Sequence, residues 1–405
     1  MAGKTIVVLG GGVGGLTAAN ELRRRLGPEH RVVLVDKTGM HLFAPSLLWL
    51  MVGKRRREQL TKDLQKMVRP GVEIVRAEVQ AIDPDRGRVV ADGRDIPYDT
   101  LIVGLGADLA PDLLPGYAGV AYNFFDLDGA ARLRDAVQRF EGGRLAVAVS
   151  GLPYKCPAAP YEAALLLDAA LHRRGIRGRS EIAVYTPEPQ PMPVAGPVMG
   201  KALTALLAQR DIHFHPGRPL AAIEPAPREL VFQDGSRESF DLLAGVPPHR
   251  PPRVVAESPL ANAAGWIPVD NRTLRTRADQ VYALGDVATI TLANGKPLPK
   301  AGVFAHAQAR AVANSVAAAL HGGRASAFRG NGYCWVELGG GKGAFASGDF
   351  YAEPDPDVRL RRPGVFWHLG KVLFERYWMG EGLERVVAQA ALDVGGRVLG
   401  VPGIL

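Results

Sequence analysis

An α/β fold with two strand–helix–strand units is predicted by three features of the sequence. A glycine run, Gly10-Gly11-Gly12-Val13-Gly14-Gly15, stands between a strand-like and a helix-like stretch. A second strand–helix–strand pattern begins near residue 145, and a short apolar strand ending in Gly285-Asp286 lies downstream of both. At 405 residues the chain is too long for one core, so several domains are expected. A hydrophobic content of 47% and a charged content of 22% place it in the folded, globular class. The 48 glycines suit a fold with many tight strand-to-helix turns.

The first unit covers residues 4–40. Residues 4–9 are apolar and rich in β-branched side chains, as a buried strand requires. Leu16, Ala19, Leu22 and Leu26 then share one helical face, and residues 31–35 form a second strand ending at Asp36. The spacing is Gly10-x-Gly12-x-x-Gly15. Gly10 permits a tight turn, Gly12 lets the backbone approach a pyrophosphate, and Gly15 lets helix and strand pack closely. Amides at the helix N-terminus bind phosphate, and Asp36 accepts hydrogen bonds from a ribose hydroxyl. The unit therefore reads as a Rossmann-like dinucleotide domain.

Which dinucleotide follows from two later signals. Asp279-Gln-Val-Tyr-Ala-Leu-Gly285-Asp286 is similar to the end of the FAD domain in flavoprotein reductases, where the aspartate meets the ribityl chain and pyrophosphate. Tyr98-Asp-Thr-Leu-Ile-Val-Gly104-Leu105-Gly106 resembles another strand of those enzymes, with Gly104-Leu105 replacing the usual Ala-Thr. Together they point to FAD rather than to an NAD-only domain.

Residues 111–255 occupy the place where such reductases insert an NAD(P)-binding domain. A strand at 145–149, a helix at 161–174 and a strand at 181–184 keep the order, but the loop between the first two is Ser150-Gly-Leu-Pro-Tyr-Lys155-Cys156-Pro-Ala-Ala-Pro160. Prolines lack the N–H groups that cradle a pyrophosphate. The domain reads as a vestige of a nicotinamide site, so NAD(P)H is not the expected donor.

Cys156 stands just before a helix N-terminus and beside Lys155, both of which favour thiolate. The competing reading is a small buried apolar residue. Glu162, on the first helical turn, is either a proton acceptor or a carboxylate on the helix dipole. The other cysteine, Cys334, follows a helix expected at 305–320. With only two cysteines there is no disulfide framework; they are a working pair or two buried thiols. The expected layout is 1–110 and 256–325 for a split FAD domain, 111–255 for the inserted domain, and 326–405 for a C-terminal domain.

In residues 363–379, His368, Lys371 and Glu375 make one polar stripe on a helix otherwise apolar and aromatic. Such a helix is buried or lies in a membrane interface. Arg359, Arg361 and Arg362 beside it suit an anionic bilayer surface. A net charge of +8 agrees with anionic partners. The dense run Lys54-Arg55-Arg56-Arg57 reads as a solvated loop; no basic block is interleaved with aromatics, so nucleic acid is not expected. No apolar run approaches the ~18–20 residues of a spanning helix, and no signal peptide is expected. The expectation is a peripheral membrane protein, with the membrane face and any homo-oligomeric state left open.

Lys155-Cys156-Pro-Ala-Ala-Pro-Tyr-Glu162 resembles the first redox-cysteine motif of sulfide:quinone oxidoreductases, which the flavoprotein subunit of flavocytochrome c sulfide dehydrogenase shares. Similar segments are His41-Leu-Phe-Ala-Pro-Ser-Leu-Leu-Trp49, Thr186-Pro-Glu-Pro189, Pro193-Val-Ala-Gly-Pro197, Lys300-Ala-Gly-Val-Phe-Ala-His306 and the Tyr333-Cys334 pair. The resemblance covers residues 4–380. It implies noncovalent FAD between two Rossmann-like domains, and Cys156 and Cys334 as a disulfide or sulfur-bridged pair near the flavin. Hydrosulfide opens that pair, one cysteine becomes a persulfide, and the electrons pass by way of FAD to a membrane quinone. It further implies that Lys37, Pro45, Ser46, Val79, Gly106, Lys300, Gly302 and Val303 join Gly10, Gly12, Gly15, Asp36, Gly285 and Asp286 around FAD. Phe345, Phe366 and Tyr377 are expected to flank the quinone. Two departures stand out: no third cysteine, and no histidine between Pro187 and Pro197. Competing expectations are electron delivery to a cytochrome c subunit, a type II NADH dehydrogenase, and a noncatalytic sulfur sensor.

Overall fold

The computed structural model describes residues 3–398, so residues 1–2 and 399–405 of the outermost expected domains lie outside the described residues. The chain divides into two compact units. One comprises Met1–Leu42, Lys62–Asp108 and Arg250–Asn331; the other comprises Phe43–Thr61, Leu109–His249 and Gly332–Leu405.

The first unit is built on a five-stranded sheet in the order Val281–Ala283, Thr100–Val103, Thr5–Leu9, Arg31–Asp36, Val72–Arg76. All neighbours are parallel. Strands covered on both faces read as continuous apolar runs, which is why Thr5–Leu9 and Arg31–Asp36 lack alternation. Val7, Leu9, Val33, Val35, Leu101 and Val103 share one core cluster. The helices Val13–Arg25 and Gly302–His321 pack against each other. The second of these starts earlier than its apolar pattern suggested, because Ala301 is extended and the first turn is Gly302-Val303-Phe304. An antiparallel meander, Val79–Asp83, Arg88–Ala91 and Arg94–Pro97, completes the unit.

The second unit repeats the plan with a parallel sheet of five strands: Tyr122–Asn123, Leu242–Val246, Gly143–Val149, Ser180–Tyr185, Ile212–His215. The helix after Gly143–Val149 runs Ala159–Arg173 and is buried continuously from Ala159 to Leu171. An interior Asp168 on it is held by Arg177 Nε at 2.7 Å and Arg210 Nη1 at 3.0 Å. The chain then adds an antiparallel sheet, Asn331–Gly339, Lys342–Asp349 and Asp357–Leu360, followed by helices Val365–Met379 and Gly382–Val398 that pack on each other.

The C-terminal helix opens after Pro363: Gly364 is extended, at φ −170 and ψ 170, and the first turn starts at Val365. The polar stripe does not face water. Lys371 and Glu375 are buried, whereas Phe366 on the opposite side is 77% exposed. Val365, Phe366 and Leu369 on the outer side are exposed, while Trp378 and the buried part of the polar stripe face the interior. Among the described residues no helix is long and apolar enough to cross a membrane.

Candidate active site

The nucleotide loop of the first unit is geometrically tight. Gly10 has φ +93, and a Cβ on Gly15 would lie 1.8 Å from the Gly10 carbonyl oxygen. That contact is what lets the helix rise straight off the strand. Gly12, in contrast, is exposed, with nothing within 4 Å of the place a Cβ would take. A cleft of about 530 Å³ opens here, lined among others by Gly10, Gly12, Asp36, Lys37, Val79 and Gly106. Asp36 accepts hydrogen bonds from the amides of Gly11 (2.8 Å), Thr38 (2.9 Å) and Gly39 (2.8 Å). Burial raises its pKa, but those bonds outweigh burial and hold it below the usual carboxylate range. The open main chain at Gly12, the helix N-terminus behind it and a fixed anion at Asp36 fit the adenosine diphosphate half of FAD.

The same unit carries the downstream part of the set. Gly285 donates its N–H to Gln308 Oε1 at 2.7 Å, next to Asp286. Lys300 donates to the Asp286 carbonyl and sits 3.6 Å from the centre of the Trp266 ring. Burial pushes its ammonium down to about 8, with Asp286 opposing. Gly302 and Val303 form the first turn of a 20-residue helix, at its positive end. Pro45 and Ser46 are not here: their turn, Ala44–Ser46, belongs to the second unit. Ser46 is corrected as a cofactor contact, because it is wholly buried and its hydroxyl donates to Glu375.

In the second unit the proline-rich loop is pinned from beneath. The hydroxyls of Tyr154 and Tyr161 donate to Glu188 Oε2 at 2.8 and 2.7 Å. Glu188 is buried, which raises its pKa. Between these anchors Cys156 adopts a left-handed backbone, φ +55. Both cysteines are half-buried. Burial pushes the Cys334 thiol well up, and Cys156 and Glu162 push it further, while Lys371 opposes them. Cys156, Cys334, Glu162 and Lys371 thus share one electrostatic site, although they come from three separate stretches of chain.

Glu162 is 2% exposed and touches the Lys371 ammonium. Burial raises its pKa to about 7, against the pull of Lys371. The attraction of Glu162 and Glu337 outweighs burial at Lys371 and keeps that ammonium charged. Beyond the pair lies a second buried carboxylate. Glu337 Oε2 is 2.8 Å from His368 Nδ1 and accepts from Trp49 Nε1 at 3.3 Å; among the described residues its Oε1 has no hydrogen-bond partner. Glu375 accepts from Arg55 Nε and Nη2 at 2.9 and 2.6 Å. A carboxyl titrating near neutrality on the first turn after the Cys156 loop can take up and return a proton at physiological pH.

Sequence reasoning singled out Cys156, Cys334 and Glu162 but assigned nothing to Lys371, Glu337, His368 or Trp49. The available signal was the stripe His368, Lys371, Glu375 on an aromatic helix, which needed polar partners if it faced inward. Phe345 is corrected as a quinone contact. It is wholly buried among Trp367, Trp335 and Tyr333, with ring centroids 4.9, 5.2 and 5.9 Å away, so none of its surface is open to a ligand. Phe366 is exposed and Tyr377 half-buried.

The sequence profile of the pyridine nucleotide-disulphide oxidoreductase family matches residues 4–311. Mouse mitochondrial sulfide:quinone oxidoreductase is 28% identical over 305 residues, covering 70% of this chain and 66% of the mouse protein. The chain thus spans about two thirds of that relative's length. The sulfide-quinone reductase of Aquifex aeolicus is 27% identical over 400 residues, 93% of this chain and 90% of that protein. The X-ray structure of the sulfide:quinone oxidoreductase from the same bacterium superposes with a TM-score of 0.85 at 24% identity, covering 99% of this chain and 96% of that one, a likeness of fold. The match runs unbroken from the first strand of the glycine-loop sheet into the helix Gly302–His321, and on that ground the chain belongs to the pyridine nucleotide-disulphide oxidoreductase family and is an FAD-dependent oxidoreductase.

Proposed function

We propose that the protein oxidises sulfide to sulfane sulfur at Cys156 and Cys334 and passes the electrons by way of noncovalent FAD to a membrane quinone. The observation that carries this reading is the buried Glu162–Lys371 pair, with Glu162 on the first turn of the helix that follows the Cys156 loop and Cys334 within electrostatic reach of Cys156, Glu162 and Lys371. Hydrosulfide attacks a Cys156–Cys334 disulfide; the old S–S bond breaks, a persulfide forms on one cysteine, and the other leaves as thiolate. A second hydrosulfide or thiol takes the outer sulfur and leaves the pair as thiol and thiolate. Glu162, held as a carboxylate by Lys371, accepts the proton released as the pair is reoxidised. FAD supplies the two-electron sink that returns the pair to the disulfide. The names of the mouse and Aquifex relatives support the substrates.

The quinone end of the reading rests on the C-terminal helices. Among the described residues, eight of the twelve exposed large hydrophobic side chains lie on Val365–Met379 and Gly382–Val398, including Phe366, Leu369, Leu383 and Val386. A surface of this kind, with Arg359, Arg361 and Arg362 beside it, suits shallow insertion into an anionic bilayer. Phe366 and Tyr377 are the aromatics offered to the quinone there.

Anaerobic stopped-flow mixing tests the reading. Sulfide is expected to bleach the bound flavin, NADH is not, and Cys156→Ser is expected to abolish the sulfide reaction. Turnover with a short-chain quinone should follow. Bleaching by NADH with no response to sulfide would overturn the assignment.

A further inference from the structure

The second unit contains a cleft of about 810 Å³, about two turns along the helix Ala159–Arg173 from Glu162. Its walls are the end of that helix, the segment Val52–Lys54, Arg210, and the hairpin turn Gly339-Gly340-Gly341 leading into Lys342. The hairpin is seated directly on the helix: a Cβ on Gly339 would fall 2.1 Å from the Ala169 Cβ, and all three turn glycines have positive φ. Gly340 and Gly341 meet nothing within 4 Å at their missing Cβ, so an approaching group reaches bare main chain.

The charge of the lining is one-sided. Lys54, Arg173, Arg210, Lys342 and His172 line the cleft, and no lining side chain is acidic. Asp168 lies behind the wall, fully buried, where Arg177 and Arg210 bond it and His172 Nε2 approaches to 3.5 Å. One interior carboxylate therefore faces two guanidiniums and leaves Lys54, Arg173 and Lys342 without compensation from it. Lys54 registers the excess. Burial pushes its ammonium down and Glu337 opposes this, while Arg173, Arg55 and Lys371 push it down further. Arg173 Nη2 also reaches the Val52 carbonyl at 3.4 Å, which ties two walls together.

We propose that this cleft binds a phosphate-bearing anion carrying more than one negative charge. Guanidinium forks match phosphate oxygens in pairs, and a glycine turn lets a phosphate approach main-chain amides. The volume is within the range of pockets that take a ligand of nucleotide or headgroup size. The phosphate is either free in solution or borne by a phospholipid.

The test uses the FAD-loaded full chain and the double variant Arg173→Ala/Lys342→Ala, both exposed positions. Sodium tripolyphosphate is titrated calorimetrically at fixed ionic strength. In parallel, flotation is measured with vesicles of phosphatidylglycerol and of phosphatidylcholine. A loss of tripolyphosphate affinity of at least ten-fold in the variant, with equal flotation of both proteins, assigns a free phosphate. A ten-fold loss of flotation confined to phosphatidylglycerol assigns a lipid headgroup. If parent and variant agree within two-fold in both arms while the variant keeps its flavin absorbance and melting temperature, the cleft is not a phosphate site. Lys54→Ala, read the same way, guards against a misfolded double variant.

Discussion

Lys371 and Glu162 form an ion pair inside the second unit although 209 positions separate them in the chain. Their side chains are 4% and 3% exposed, so neither charge is hydrated and each depends on the other. The pair joins the helix that follows the Cys156 loop to the helix that carries the exposed aromatic surface. One contact thereby ties the sulfur chemistry to the proposed quinone end.

Breaking the pair from the lysine side has two readouts. Lys371→Met leaves Glu162 buried and alone, and a cost of about 3–5 kcal/mol in unfolding free energy is expected. Lys371 lowers the Glu162 pKa, so its removal moves that pKa above about 7. The rising limb of the pH profile for sulfide-driven flavin reduction should shift to higher pH. A limb that stays in place would remove Glu162 from proton transfer.

Glu162 also leaves a mark on stability. Its carboxyl is raised from 4.5 to about 7 on folding. Between those values the unfolded chain gives up the proton that the folded chain keeps, so stability from this group is full below pH 4.5 and falls until pH 7. The gap corresponds to about 3 kcal/mol. Glu162→Gln should flatten that fall, seen by urea unfolding at pH 4.5 and pH 8. The two proteins should differ little at pH 4.5 and by up to about 3 kcal/mol at pH 8.

Glu188 holds the cysteine loop without touching substrate. Glu188→Gln keeps an acceptor oxygen for Tyr154 and Tyr161 and is expected to cost under about 1 kcal/mol. Glu188→Ala removes the acceptor the two hydroxyls share and leaves Tyr154 only the Pro157 carbonyl at 3.2 Å, at a cost of about 1–3 kcal/mol. The alanine variant should slow flavin reduction by sulfide at least ten-fold while reduction by dithionite stays unchanged, and glutamine should rescue it.

The two glycines of the nucleotide loop separate folding from binding. Gly15→Ala forces a Cβ to within 1.8 Å of a carbonyl oxygen, so the first unit must distort and the protein is expected to lose both flavin and stability. Gly12→Ala meets no protein atom within 4 Å. It should leave the apoprotein melting temperature unchanged and weaken FAD binding at least ten-fold, because the new methyl lies where the pyrophosphate must approach.

Much of the molecule was legible in its residues. The parallel strands announced themselves as unbroken β-branched runs, because both faces of a parallel sheet are covered. The glycine loop was readable because its constraint is local: a tight turn and a close backbone approach act between neighbours in sequence. Proline in the Cys156 loop spoke for the same reason, since a missing N–H is a property of one residue. What the sequence left open was every relation set by long-range packing. The direction of the His368, Lys371, Glu375 stripe was decided by partners on other elements: Glu337 for His368, Glu162 for Lys371, and Arg55 and Ser46 for Glu375. Phe345 looked like any aromatic until Trp367 and Tyr333 packed against it. Ser46 looked like a loop hydroxyl until Glu375 claimed it. Local rules act between residues a few positions apart and survive in the text of the chain; the desolvation of a charge depends on atoms brought together from distant segments, and only the folded structure assembles them.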